Sequence, residues 1–141
     1  MKKVREIMTR NPVCCTPQDN ITDVARLMKR EDVGSLPVVE DRKSGKLNGI
    51  VTDRDLVLKV LAEGRDPNSI EVEAVMTRTP VTCRSDDDIQ DCLDAMEQHQ
   101  IRRMPIVDGS GKIVGIIAQA DVATRGREPE KTAQLVEEIS E

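Results

Sequence analysis

The chain repeats itself, and this bounds the fold more tightly than any other feature, because a duplicated unit must build duplicated structure. Displaced by 68 positions, residues 4–39 fall on 72–107. Val4, Met8, Thr9, Arg10, Pro12, Val13, Cys15, Asp19, Ile21, Asp23, Met28, Pro37 and Val39 are identical in the second copy, 13 of 36 positions. A two-residue deletion in the next loop changes the displacement to 66. Residues 46–56 then fall on 112–122 and keep Lys46, Gly49, Ile50 and Asp55. The expected organisation is a first repeat over 1–64, a linker over 65–71 containing Pro67 and Asn68, a second repeat over 72–124, and a tail over 125–141. In the tail, Ala133, Leu135, Val136 and Ile139 have near-helical spacing, which points to an amphipathic helix docking on the module or on a partner.

Each copy predicts the same elements. Val13, Cys14 and Cys15 read as a short strand, and Thr16-Pro17 as a turn. Asn20 then caps a helix with Asp23 three residues on. Ile21, Val24, Ala25 and Met28 recur at i, i+3, i+4 and i+7, one buried helical face. In the second copy Asp88 and Asp91 are the cap pair, and Ile89, Cys92, Leu93 and Met96 the face. Two apolar strands follow, 35–40 and 47–52, joined by the turn 41–45; their equivalents are 104–108 and 113–118. A second helix starts near Asp53 and stops at Gly64, a suitable residue to end it. The unit is β-α-β-β-α, and the class is α/β (α+β). Two such units burying one another supply a core that neither could build alone.

Composition excludes several functions. With no Phe, Tyr or Trp, aromatic stacking of bases is ruled out, and any flat ring must be clamped by aliphatic side chains. Val, Ile and Leu supply 35 of 141 residues, enough for folded cores. The balance of 21 basic and 26 acidic residues, with a pI near 5.0, argues against nucleic-acid binding. There is no 18-residue apolar run to span a membrane, and the N-terminus leads into no secretion-signal core, so a cytoplasmic protein is expected. Cys14, Cys15, Cys83 and Cys92 form no CxxC, and His99 has no Cys nearby; no metal or disulfide is expected, only small core thiols. Met8, Met28, Met76 and Met96 match in pairs across the repeats, as core fillers do. His99 has no triad partner, and no nucleophile or base cluster stands out, so the chain is not expected to be an enzyme.

Six segments carry a family resemblance. In the first copy they are Ile7-Met8-Thr9 with Asn11-Pro12-Val13, Gly34-Ser35-Leu36-Pro37-Val38-Val39, and Gly49-Ile50-Val51-Thr52-Asp53-Arg54-Asp55-Leu56. In the second they are Val75-Met76-Thr77 with Thr79-Pro80-Val81, Arg102-Arg103-Met104-Pro105-Ile106-Val107, and Gly115-Ile116-Ile117-Ala118-Gln119-Ala120-Asp121-Val122. Together they resemble the CBS domain, named after cystathionine β-synthase, and two in tandem resemble a Bateman module. The resemblance covers about 120 of the 141 residues. It implies pseudo-symmetric repeats packed sheet to sheet, with a regulatory role and adenosyl ligands bound in the clefts between them.

The third segment of the first copy follows the family pattern Gly-h-h-Thr/Ser-x-x-Asp-h at a strand-to-helix junction. Thr52 would end a strand and Asp55 would lie in the first helical turn, facing one cleft. Such a carboxylate can accept from both hydroxyls of a ribose, two charge-assisted bonds of roughly 1.5–3 kcal/mol each. An Asp at a helix start is also a plain cap, and both readings stand. The resemblance further implies that adenine lies against Val81 and Ile101, with its edge on backbone groups near Thr79 and Val81. Arg102 or Arg103 would meet a phosphate. Alternation on a strand sends the two opposite ways, and Arg103 is preferred. The second cleft would use Val13, Val33 and Asp121. There Ala118 replaces the Thr, and Gly34-Ser35 replaces the arginine pair, which implies a weaker site.

The expected ligand is an adenine nucleotide or another adenosyl compound: AMP, ADP, ATP, S-adenosylmethionine or an NAD type. Expected partners are a second copy of the chain, through a helix face carrying Val57, Val60 and Leu61, and a separate effector protein. The alternative is a scaffolding dimer of the same fold that binds no ligand.

Overall fold

A computed structural model describes residues 2–119 and Val122. Asp121 and the 125–141 tail lie outside the described residues. In chain order the elements are β1 (Thr9–Arg10), α1 (Ile21–Glu31), β2 (Ser35–Val39), β3 (Leu47–Thr52), α2 (Asp53–Leu56, continuing as a π-helical turn Val57–Leu61), β4 (Thr77–Arg78), β5 (Cys83–Arg84), α3 (Ile89–Gln98), β6 (Arg103–Val107) and β7 (Ile113–Ala118). The described residues fall into two compact units. One is Val13–Pro80; the other joins residues 2–12 to those from Val81 onward.

In the Val13–Pro80 unit, β2 and β3 form an antiparallel hairpin from Ser35↔Thr52 to Val39↔Leu47, with an irregularity at Val38/Val39. β4 adds to the far side of β3, pairing Gly49↔Arg78 and Ile50↔Thr77. The expected strand 13–15 shrinks to one parallel bridge, Cys15↔Val38. Pro12 and Pro17 flank it, and Cys15 alone exchanges both backbone bonds, N–H to the Pro37 carbonyl at 3.0 Å and carbonyl to the Val39 N–H at 2.9 Å. Asn20 caps α1 as the sequence indicates, its Oδ1 accepting from the Asp23 N–H at 2.9 Å. Ile21, Val24 and Met28 point into a core shared with Leu36, Val38, Val51, Val60 and Met76.

In the other unit the sheet order is β1-β7-β6-β5. β6 and β7 repeat the hairpin register, Arg103↔Ala118 to Val107↔Ile113. β5 runs parallel to β6, and β1 pairs with β7 through Thr9↔Ile116 and Arg10↔Gly115. Each repeat's short leading strand therefore adds to the hairpin formed by the other repeat's sequence. The compact units are cut at residues 12 and 80, not in the 65–71 linker. α3 departs from the expected cap. Asp88 stands at the N-cap position but makes no side-chain cap bond. Its carboxylate pairs with Lys3 Nζ at 2.9 Å, and Lys2 supplies the carbonyl that takes the Ile89 N–H. That pairing holds the Asp88 carboxyl below the usual carboxylate range.

Met8, Met28, Met76 and Met96 are all buried, as their pairing predicts. Cys15, Cys83 and Cys92 are buried free thiols, while Cys14 is half-buried. Burial pushes the Cys15 thiol up to about 12, consistent with a packing role.

Candidate functional site

The junction of β3 and α2 gathers the polar groups of the Val13–Pro80 unit. Thr52 leaves β3 in extended conformation and becomes the N-cap of α2. Its backbone N–H donates to Asp55 Oδ2 at 2.9 Å and its hydroxyl reaches the same oxygen at 3.2 Å; the Asp55 N–H donates back to Thr52 Oγ1 at 3.2 Å. This is a closed capping box. The other carboxylate oxygen, Oδ1, pairs with Lys59 Nζ at 3.0 Å, and the Asp55 side chain is 13% exposed. Thr52 and Asp55 are thus brought together as the pattern anticipates, in a geometry that satisfies the cap.

Lys59 was not among the residues singled out in the sequence. It stands four residues after Asp55, the spacing at which helical side chains meet. Its ammonium also donates to the Val75 carbonyl at 2.9 Å, so it ties Asp55 to the segment that leads through β4 to Thr79. The helix carrying it widens here: the Ala62 N–H donates to the Val57 carbonyl, five residues back, at 2.8 Å. Such π-turns rotate the residues beyond them, and they recur at functional positions. The same rotation corrects one expectation. Val60 is 1% exposed and packs in the core, whereas Val57, Leu58 and Leu61 form the uncovered face.

Thr79 has φ +44°, a left-handed conformation rare for a β-branched residue, and its side chain is exposed. The equivalent Asn11 has φ +48°. Both precede a proline, which disfavours the right-handed helical alternative.

The aliphatic residues are placed by a shared device. α1 ends at Asp32 (φ +55°) and α3 is followed by Gln100 (φ +54°). The next residue in each, Val33 or Ile101, donates its N–H to the carbonyl five residues back, Met28 or Met96, at 3.0 Å. This is a Schellman termination, and it fixes the direction of the side chain that follows. Ile101 and Val81 are half-buried and pack on one core with Met96 and Met104. Val13 packs on the core of its own unit, and Val33 is 43% exposed. Arg103 is half-buried at the start of β6 and Arg102 is exposed. Where Ser35 stands opposite Thr52, Arg103 stands opposite Ala118.

A cleft of about 530 Å³ lies on the Val13–Pro80 unit between α1 and the 13–15 segment. Val13, Cys14, Leu27, Arg30 and an Arg42–Asp19 ion pair of 3.2 Å line it; Thr52 and Asp55 do not. Among the described residues no group of three or more His, Cys, Asp or Glu is placed to hold a metal ion, and no helix is long and apolar enough to cross a membrane.

These features agree with what the chain is similar to. The family model described as the CBS domain matches twice, over residues 4–62 and 72–128. YhcV of Bacillus subtilis, described as a CBS domain-containing protein, is 38% identical over 140 residues, covering 99% of this chain and 96% of that protein. Hypoxic response protein 1 of Mycobacterium tuberculosis is 35% identical over 123 residues, 87% of this chain and 84% of its own. Inosine-5'-monophosphate dehydrogenase of Mycobacterium leprae is 32% identical over 130 residues, but these are only 23% of that enzyme. Among solved structures, hypoxic response protein I with two coordinated zinc ions superposes with TM-score 0.79 at 33% identity, covering 89% of this chain and all of that one. The CBS domain pair of protein MJ0100, in complex with 5'-methylthioadenosine and S-adenosyl-L-methionine, superposes with TM-score 0.77 at 28% identity, covering 87% and 94%. The chain belongs to the CBS domain family and carries two CBS repeats in tandem, a Bateman-type pair.

Proposed function

We propose that this chain is a non-catalytic regulatory module that binds an adenosyl ligand and controls a separate partner protein. The carrying observation is the Thr52–Asp55 box. Its carboxylate is fixed in place before any ligand arrives, so a ribose diol meets an acceptor that loses little further freedom on binding. The MJ0100 pair, a relative solved with two adenosyl compounds, supports the ligand class. In this reading Thr52 and Asp55 take the ribose, the backbone near Thr79 takes the purine edge, Val81 and Ile101 contact the ring, and Arg103 meets a phosphate. Val13, Val33 and Asp121 serve a second, weaker site, since Ala118 can offer no hydroxyl. A ligand changes the partner's fate only through its differential affinity for two states of the module.

The test is calorimetry with AMP and 5'-methylthioadenosine on the wild type, Asp55→Ala and Asp55→Asn. Losing two charge-assisted bonds weakens binding by roughly 100-fold or more. Asp55→Asn keeps an oxygen for the cap and separates lost binding from lost folding. Unchanged affinity in both variants removes Asp55 from the site. A wild type that binds no adenosyl compound favours the scaffolding alternative. We further propose that two copies associate through the face bearing Val57, Leu58 and Leu61, which are 51%, 45% and 65% exposed.

A further inference from the structure

We infer that Lys59 is a specificity-determining residue that makes the Asp55 site select phosphorylated adenosine over uncharged adenosyl compounds. The inference rests on the adenosyl reading of Thr52 and Asp55 and adds what that reading leaves open, the charge of the ligand. An isolated carboxylate that accepts a ribose diol repels a phosphate on the same nucleoside. Here the carboxylate is paired with the Lys59 ammonium at 3.0 Å, so the local pair is neutral and the repulsion is offset. The ammonium has three donors. Among the described residues, one goes to Asp55 Oδ1 and one to the Val75 carbonyl at 2.9 Å, which leaves the third for a ligand oxygen.

Its position is not that of a loose surface lysine. The bond to Val75 and the pairing with Asp55 hold Nζ between the two segments of this unit proposed to touch the ligand, the β3–α2 junction and the strand leading to Thr79. The π-turn spans Lys59 itself, and such turns recur at functional positions. Nearly half of the Lys59 side chain is accessible (46%), and the proposal places the phosphate on its third donor with both bonds kept. A cationic group on the ligand meets the same ammonium and is disfavoured.

The experiment is equilibrium dialysis of AMP and 5'-methylthioadenosine against the wild type, Lys59→Met and Lys59→Arg, with thermal melts followed by circular dichroism to show that each variant folds. The two probes share adenine and ribose and differ at the 5' position, a charged phosphate in one and an uncharged methylthio group in the other. The wild type is expected to prefer AMP. Lys59→Met loses about tenfold to 100-fold in AMP affinity, the size of a charge-assisted hydrogen bond, and changes by less than threefold for 5'-methylthioadenosine. Lys59→Arg, which keeps the charge, retains the preference. Equal losses for both probes in Lys59→Met, or none for AMP, overturn the inference and leave the adenosyl reading standing. A wild type that binds 5'-methylthioadenosine at least as tightly does the same. If the wild type binds neither probe, the adenosyl reading falls and takes this inference with it.

Discussion

Replacing Gly49 by Ala tests the packing that places the Thr79 segment. Gly49 lies in β3 between Val38 of β2 and Arg78 of β4. A Cβ there would sit 2.5 Å from the Thr77 carbonyl oxygen and 3.2 Å from Met76 Sδ, where ordinary contact begins at 3.4 Å. The oxygen belongs to the backbone and cannot rotate away, so β4 must retreat by about 0.9 Å and strain its two-residue pairing. Overpacking of this kind costs about 1–3 kcal/mol, and the stiffer unfolded chain returns about 0.4–1 kcal/mol. The net loss is about 1–2 kcal/mol, a fall of roughly 3–8 °C in Tm for a domain of this size. Gly115 is the matched control. There a Cβ meets the Met8 thioether first, and the Thr9 carbonyl only at 3.0 Å. A methionine side chain adapts cheaply, so Gly115→Ala is expected to cost less than about 1 kcal/mol. With no aromatic residue in the chain, the assay is far-ultraviolet circular dichroism against temperature and urea. A Gly49→Ala variant as stable as the wild type, or a Gly115→Ala variant that loses more, refutes the reasoning.

Asp32→Gly and Gln100→Gly relieve left-handed residues at the two helix ends, and each is expected to stabilise by about 0.5–1 kcal/mol, read as a higher urea midpoint; a lower midpoint in both contradicts the Schellman assignment. Leu61→Glu puts a charge in the proposed contact face, and light scattering should fall from about twice 15.7 kDa to a single chain. A wild type that is already one chain at micromolar concentration removes that contact.

The fold was legible where the signal was periodic. The helical spacing of Ile21, Val24 and Met28 and the strand runs on either side of Gly45 and Gly109 reappear as α1 and the two hairpins within a residue. What pattern could not reveal were choices decided by tertiary partners. Asp88 has the right chemistry for a cap, but a lysine 85 residues away takes its carboxylate. Val60 has the right spacing for the outer face, but the π-turn swings it inward. At the site, Thr52 and Asp55 were legible because capping box and ligand motif use the same two residue types at the same spacing. For the same reason the pattern alone could not tell the two apart. Lys59 carried a signal, the i, i+4 relation to Asp55, that a search confined to the motif passes over.

The duplication also separates what the fold requires from what it leaves open. The two copies agree at the left-handed Asp32 and Gln100, at the pre-proline Asn11 and Thr79, at the close-approach glycines 49 and 115, and in the buried methionine pairs. Side-chain identity changes freely at the first two pairs, so backbone shape is what each repeat must keep there. At the glycines and methionines space is the constraint, and identity is kept. The copies diverge where polar chemistry gathers. Thr52 becomes Ala118, and Ser35 becomes Arg103, directly across the hairpin in each case. A substitution that places an arginine opposite the position where a hydroxyl is lost is not a packing adjustment, because Ser35 is buried and Arg103 is only half-buried. Backbone shape held constant while charge and hydroxyls are redistributed supports the proposal of one scaffold carrying two unequal sites, and it is the reason the Asp55 and Lys59 experiments belong to the first copy.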